Sequence, residues 1–104
     1  MKLVSIDSIP GRKYETLEIV KGTVVQTKNF GKDLMAGFKT LVGGEVKGYT
    51  EMLNEARQIA TKRMVDEAER LGADAIVGVR YGSSQVMQGA AEVIAYGTAV
   101  KFID

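Results

Sequence analysis

The apolar positions of this chain fall into a few stretches of clear period, and these predict most of its architecture. From Tyr14 to Lys28, YETLEIVKGTVVQTK alternates Leu17, Ile19 and Val25 with polar neighbours and is rich in Val and Thr. That is the period-two pattern of a strand. The stretch is long for one straight strand, and Gly22 near its middle predicts a bulge or bend. Asn29 to Gly31 breaks the pattern. KDLMAGFKTLVGG then places Leu34, Met35, Phe38, Leu41 and Val42 on one stripe of a short helix. Asp33 suits its first turn, and Gly43-Gly44 suits its end, because glycine enters the left-handed region without a steric penalty.

From Tyr49, the positions Met52, Leu53, Ala56, Ile59, Ala60, Met64, Ala68 and Leu71 recur at three and four residues up to Gly72. This predicts a helix of roughly 22 residues, about 33 Å long. Lys62 with Asp66, Arg63 with Glu67 and Asp66 with Arg70 are opposite charges four apart, suited to its solvated face. Ala75 to Val79 is a short continuous apolar run, which predicts a strand covered on both faces. Ser83 to Gly89 has loop composition. Between Ala91 and Ile103 a final strand has one face of Ala91, Val93, Ala95, Gly97 and Ala99, mostly small, and a larger one of Ile94, Tyr96, Val100 and Phe102. The small face invites close approach by another backbone. The predicted order is β-α-α-β-β in one domain spanning residues 1–104. A two-layer subunit of this kind covers one face of its sheet, so a neighbouring copy is expected to supply the second cover.

Composition narrows the chemistry. The 104 residues include 14 basic and 13 acidic side chains, for a formal net charge of +1. No field draws in a polyanion, and nucleic acid is not an expected partner. There is neither cysteine nor histidine. This removes disulfides, thiolate metal sites, the usual zinc ligands and the commonest nucleophile and base pairs. Asp7 and Pro10 interrupt the N-terminal segment, and no apolar run nears the roughly 18 residues of a membrane span. The expectation is a soluble cytoplasmic protein with no membrane partner.

The glycines in LVGGEVKGYTEMLNEAR look at first like a phosphate cradle. Their spacing, Gly43, Gly44 and Gly48, matches neither G-x-x-x-x-G-K-[ST] nor G-x-G-x-x-G, and Lys47 precedes the last glycine. They are better explained as a helix stop and link. Asp66, Glu67 and Glu69 radiate around their helix and do not converge on an ion. Met35, Met52 and Met64 lie on apolar stripes, where a flexible side chain fills gaps in the core. Ser83, Ser84 and the tyrosines carry no catalytic motif. The expected function is a non-enzymatic binding or scaffold module, with a small-molecule hydrolase using a carboxylate-based intersubunit site as the alternative.

At NFGKDLMAGFKTLVGGEVKGYTEMLNEAR, then LGADAIVG and GTAV, the chain resembles the YbjQ family, small bacterial and archaeal proteins labelled as heavy-metal-binding. The shared pattern falls on Asn29, Asp33, Val42 to Gly44, Tyr49, Ala56-Arg57, Leu71 to Ala75 and Gly97 to Val100. The resemblance implies a dodecin-like α/β subunit, with helices on one face of an antiparallel sheet, assembled as a ring-shaped homopentamer. If an ion is held, a divalent metal in an intersubunit site of oxygen ligands is expected, with Asp33, Glu45 and Glu51 as candidates. The simpler role for these three is capping and surface charge, since helix N-termini favour acidic groups.

Overall fold

A computed structural model describes the backbone of residues 1–27, 41–42 and 45–104, and the side chains of 1–27 and 48–104. Its elements are β1 (Lys2–Leu3), β2 (Tyr14–Thr27), β3 (Leu41–Val42), β4 (Glu45–Val46), α1 (Lys47–Arg70), β5 (Ala75–Met87) and β6 (Ala90–Phe102). Strands β1, β5, β6 and β2 form one sheet in that order, and β3 pairs with β4. The three long strands are antiparallel neighbours, and β1 adds a short parallel pairing to β5, making the sheet mixed. The helix packs on one face, as expected for a two-layer α/β fold.

The helix forms where its period predicts. Met52, Ala56, Ala60, Met64 and Ala68, four residues apart, are all buried, and three are alanines. Ala56, Ala60, Met64 and Ala68 meet Val20, Val24, Val93, Ala95 and Ala99 of the sheet in one core. Small side chains on both sides let the two backbones approach closely. Gly22 is the extreme case. A Cβ built on it would collide with the Ala60 carbonyl oxygen and lie 2.5 Å from Met64 N and 2.8 Å from the Arg63 Cβ. Gly22 therefore marks the seat of the helix, not the predicted bulge, and its pairing with Ala95 lies within regular register. The bulge in β2 lies earlier, between Thr16 and Ile19.

A Schellman motif ends α1. Ala73 N–H donates to the Ala68 carbonyl at 3.1 Å and Gly72 N–H to the Glu69 carbonyl at 3.0 Å, with Gly72 at φ 79°. Asp74 then ties the turn to β6, its amide donating to the Val100 carbonyl at 2.8 Å and its carboxylate accepting from Phe102 N–H at 2.8 Å. These contacts explain the local sequence LGADA as a stop, a turn and a strand start. Of the three predicted ion pairs on α1, Lys62–Asp66 forms at 3.2 Å, whereas Arg63 instead donates to the Thr23 carbonyl at 2.6 Å.

Three sequence expectations change. The short helix predicted over 33–42 falls outside the described residues as far as residue 40, and its last two positions, Leu41 and Val42, are extended and pair with Val46 and Glu45. The predicted loop from Ser83 is strand as far as Met87, because β5 continues beside β6 to a tight turn at Gln88-Gly89, with Gly89 at φ 83°. Its exposed, largely polar residues lack the apolar pattern that would have revealed it.

The third change concerns the covering of Ala75 to Val79. The run is covered on both sides, as predicted, but by its own chain. Ile76 and Val79 face the helix, while Ala75, Val77 and Val100 pack with Val4, Ile9, Tyr14 and Phe102 on the opposite face. The N-terminal segment runs along β5, Val4 N–H donating to the Ile76 carbonyl and Val79 N–H to the Val4 carbonyl, both at 3.0 Å. Its far end is clamped by Arg12, which makes a two-pronged ion pair with Asp104 at 2.8 and 3.0 Å and stacks 3.6 Å from the centroid of the Phe102 ring. The hydrogen bond from Arg12, then that from Lys13 N–H, hold the Asp104 carboxyl below its ordinary pKa.

Two outcomes are expected. Gly22→Ala should lower stability by about 1–3 kcal/mol in urea unfolding, since the backbone facing it cannot yield cheaply. Gly82→Ala, whose new Cβ would meet only the Ile94 side chain at 3.4 Å, should stay within about 0.5 kcal/mol. An NMR titration should find Asp104 losing its charge below the ordinary aspartate range, near 3.9. Because the folded-state pKa is depressed, the clamp's contribution is present above the unfolded value and fades as pH falls through the folded one. Arg12→Ala should return the Asp104 midpoint towards the ordinary value.

Candidate functional site

Because α1 is seated over β2 and β6, it barely touches β5. The helix-side surface of β5 beyond Val79 is therefore bare, and Tyr81 stands there half exposed. Between Tyr81 and the flank of α1 runs an open cleft of about 680 Å³. One of its walls is the row Arg57, Thr61, Val65 and Glu69, four residues apart and so stacked along one side of the helix. Thr61 bridges the walls. Its hydroxyl donates to the Arg57 carbonyl at 2.7 Å, so the Tyr81 hydroxyl must donate to Thr61 Oγ1, at 2.8 Å. This bond fixes the ring against the helix. Lys62 and Asp66 neutralise each other on the rim.

The cleft has an apolar middle at Val65 and Tyr81 and charges of both signs around it, a composition suited to recognition. Its two carboxylates, Asp66 and Glu69, both come from α1. The hydrolase alternative needs carboxylates from different segments to meet, and the described lining residues do not supply that.

A second uncovered surface lies on the other side of the sheet. Beyond the bulges, the outward residues form the rows Ile19–Thr98, Lys21–Tyr96–Arg80, Thr23–Ile94–Gly82 and Val25–Glu92–Ser84. The N-terminal segment meets these rows only at Arg80, whose guanidinium donates to the Ser5 carbonyl at 2.6 Å. Ile19 is 74% exposed, Val25 56% and Tyr96 42%.

Of the metal candidates from the sequence, only Glu51 has a described side chain. Glu51 is exposed on α1, the Glu45 backbone pairs in the β3–β4 hairpin, and the Glu45 side chain and Asp33 lie outside the described residues. Among the described residues, no three acidic side chains are grouped to hold an ion. Met52 and Met64 are core residues, 4% and 0% exposed, as their stripe predicts. Neither is open to a soft ion, which leaves Met1 and Met87, 47% and 66% exposed, as the accessible sulfur donors among the described residues. No described helix is long and apolar enough to cross a membrane, which does not bear on β-barrels. Sequence reasoning missed the Thr61–Tyr81 pair, because two hydroxyls twenty residues apart carry no periodic signal.

Over residues 1–103 the chain matches the YbjQ family model, described as "Putative heavy-metal-binding". The chain belongs to the YbjQ family. Among its relatives, a UPF0145 protein of Clostridium novyi is 61% identical over 103 residues, covering 99% of this chain and all of that one. A UPF0145 protein of Thermotoga maritima is 59% identical over 102 residues, or 97% of this chain and 96% of the relative. One from Helicobacter hepaticus is 56% identical across 99% of both. The chain is also similar to a crystal structure of a protein of unknown function from Pediococcus pentosaceus, assigned to the DUF74 family. The TM-score is 0.65 at 18% identity, covering 99% of this chain and 98% of that one. At that identity the likeness establishes the YbjQ subunit's fold and nothing of its chemistry.

Proposed function

We propose that this YbjQ protein is a non-enzymatic binding or scaffold module that works as a ring-shaped homo-oligomer, a pentamer, in the cytoplasm. The observation that carries the reading is the outer half-face of the sheet. Ile19, Val25, Ile94 and Tyr96 form an apolar surface next to a half that the chain covers with its own N-terminal segment. Exposed apolar surfaces of this kind mark interaction sites. Cover by another copy would give the whole sheet two layers. Light scattering at micromolar concentration should return a mass five times the 11.3 kDa of one chain. A single species of one chain's mass would sink the reading.

The family's heavy-metal description bears on this chain through its available donors. With no Cys or His and its helix methionines buried, any ion is expected to be a hard or borderline divalent one on oxygen ligands. Asp33, Glu45 and Glu51 are the candidates, gathered from more than one copy. Calorimetric titration with zinc, cadmium, copper(I), manganese and calcium should show at most loose binding, weakening as carboxylates protonate. Tight stoichiometric uptake of cadmium or copper(I) would contradict this assignment of ligands.

A further inference from the structure

The N-terminal segment is held differently on the two sides of Gly11. After it, Arg12 is clamped by Asp104 and Phe102, and Lys13 N–H donates to the Asp104 carboxylate at 3.2 Å. The Lys13 carbonyl accepts from Ile103 N–H at 2.9 Å, and Tyr14 enters β2 opposite Phe102. Before it, residues 1–10 bury only Ile9, while Leu3 and Val4 are half-buried and Ile6 is 54% exposed. They lie along β5 through the two-residue pairing of β1, the bonds of Val4 with Ile76 and Val79, and the Ile6 carbonyl, which accepts from Gly78 N–H at 2.8 Å. The Ser5 carbonyl accepts from Arg80. Among the described residues, no ion pair ties this stretch to the sheet.

The joint between the two parts is a tight turn. Arg12 N–H donates to the Ile9 carbonyl at 3.3 Å, with Pro10 second and Gly11 third in the turn and Gly11 at φ 78°. That order of residues suits a type II turn. A Cβ added to Gly11 would meet nothing within 4 Å, so no packing holds the turn from outside. We propose that residues 1–10 are a strap that swings off β5 as a unit, hinged at Gly11, while the rest of the subunit stays folded. A terminal segment with few buried contacts opens at low cost, and the clamp at Arg12 marks where the opening stops. Closed, the strap guards the edge of β5 and the small core around Val77 and Val100. Open, it bares the Gly78 and Val79 amides beside that apolar floor, the arrangement that accepts an added strand.

Amide hydrogen exchange on the full chain, read residue by residue by NMR, tests the strap directly. Gly78 and Val79 donate to strap carbonyls and so report its opening, whereas Ile103 donates to Lys13 behind the hinge. Gly78 and Val79 should exchange through a common opening, roughly a hundredfold more populated than the one that frees Ile103. Gly22→Ala, which weakens the helix seat, should speed the slowest amides of the sheet and leave Gly78 and Val79 unchanged. Gly11→Ala forces a side chain into the left-handed region of the closed turn and should speed Gly78 and Val79 by about five- to thirtyfold. Gly11→Asn, which tolerates that region, should speed them less. Gly78 and Val79 protected as well as Ile103, and accelerated by Gly22→Ala, would mean that the strap leaves only when the whole subunit unfolds. Gly11→Ala without effect on them would remove the hinge. Either result overturns the proposal.

Discussion

The closest approach in this subunit is between two backbones, where α1 crosses β2 at Gly22, and the positions of the other layers follow from it. A helix lying on a sheet is usually held off by its side chains. Here alanines at positions 56, 60 and 68 face Gly22, Ala95 and Ala99, and the helix sinks until its Ala60 carbonyl lies where a Cβ would be. The seat is over β2 and β6, so the helix covers β5 only at Ile76 and Val79. That offset opens the cleft at Tyr81, and the Thr61–Tyr81 hydrogen bond links the helix to the part of β5 beyond Val79.

The other face of the sheet is divided by its bulges. β2 gains a residue between Thr16 and Ile19, and β5 between Val77 and Arg80, with Gly78 at φ 63°. Both face the stretch of β6 around Thr98. On this one face Ala75, Val77 and Val100, below the bulges, pack towards Ile9, while Ile19, Tyr96 and Val25, above them, are open to solvent. Burying a large apolar side chain is worth roughly 1.5–3 kcal/mol, and this half-face leaves several such side chains open. The N-terminal segment runs along β5 as far as the Ile6 carbonyl on Gly78 N–H and the Ser5 carbonyl on Arg80, then returns to Arg12 beside Asp104, so it covers one half and not the other. The proposed assembly follows from that incomplete cover.

The legible parts of the fold were those with a strong period. Helix α1 and strands β2 and β6 were visible because one of their faces is apolar along most of its length. The small face of β6 correctly foretold a close backbone, which proved to be the chain's own helix. β5 was half visible: Ala75 to Val79 is buried on both sides and reads as strand, whereas Ser83 to Met87 is exposed and reads as loop. Leu41 and Val42 fitted a helical stripe, yet their pairing with Glu45 and Val46 is a two-residue contact too short for any period to show. The N-terminal cover was illegible because MKLVSIDSI is a short apolar–polar mixture of no sustained period, placed by hydrogen bonds of Val4 and Ile6 to Ile76, Gly78 and Val79. The candidate site was the least legible part, since the cleft arises from the offset of the helix, and no single residue announces an offset.

The central claim is that the outer half-face around Ile19, Val25 and Tyr96 is covered by another copy of the chain and that this cover stabilises the fold. The direct measurement is the thermal unfolding midpoint across a hundredfold range of protein concentration. Because association removes only folded chains from the equilibrium, the midpoint should rise steadily with concentration. A midpoint that stays constant, with the outer face still open to solvent at the highest concentration, would contradict the account.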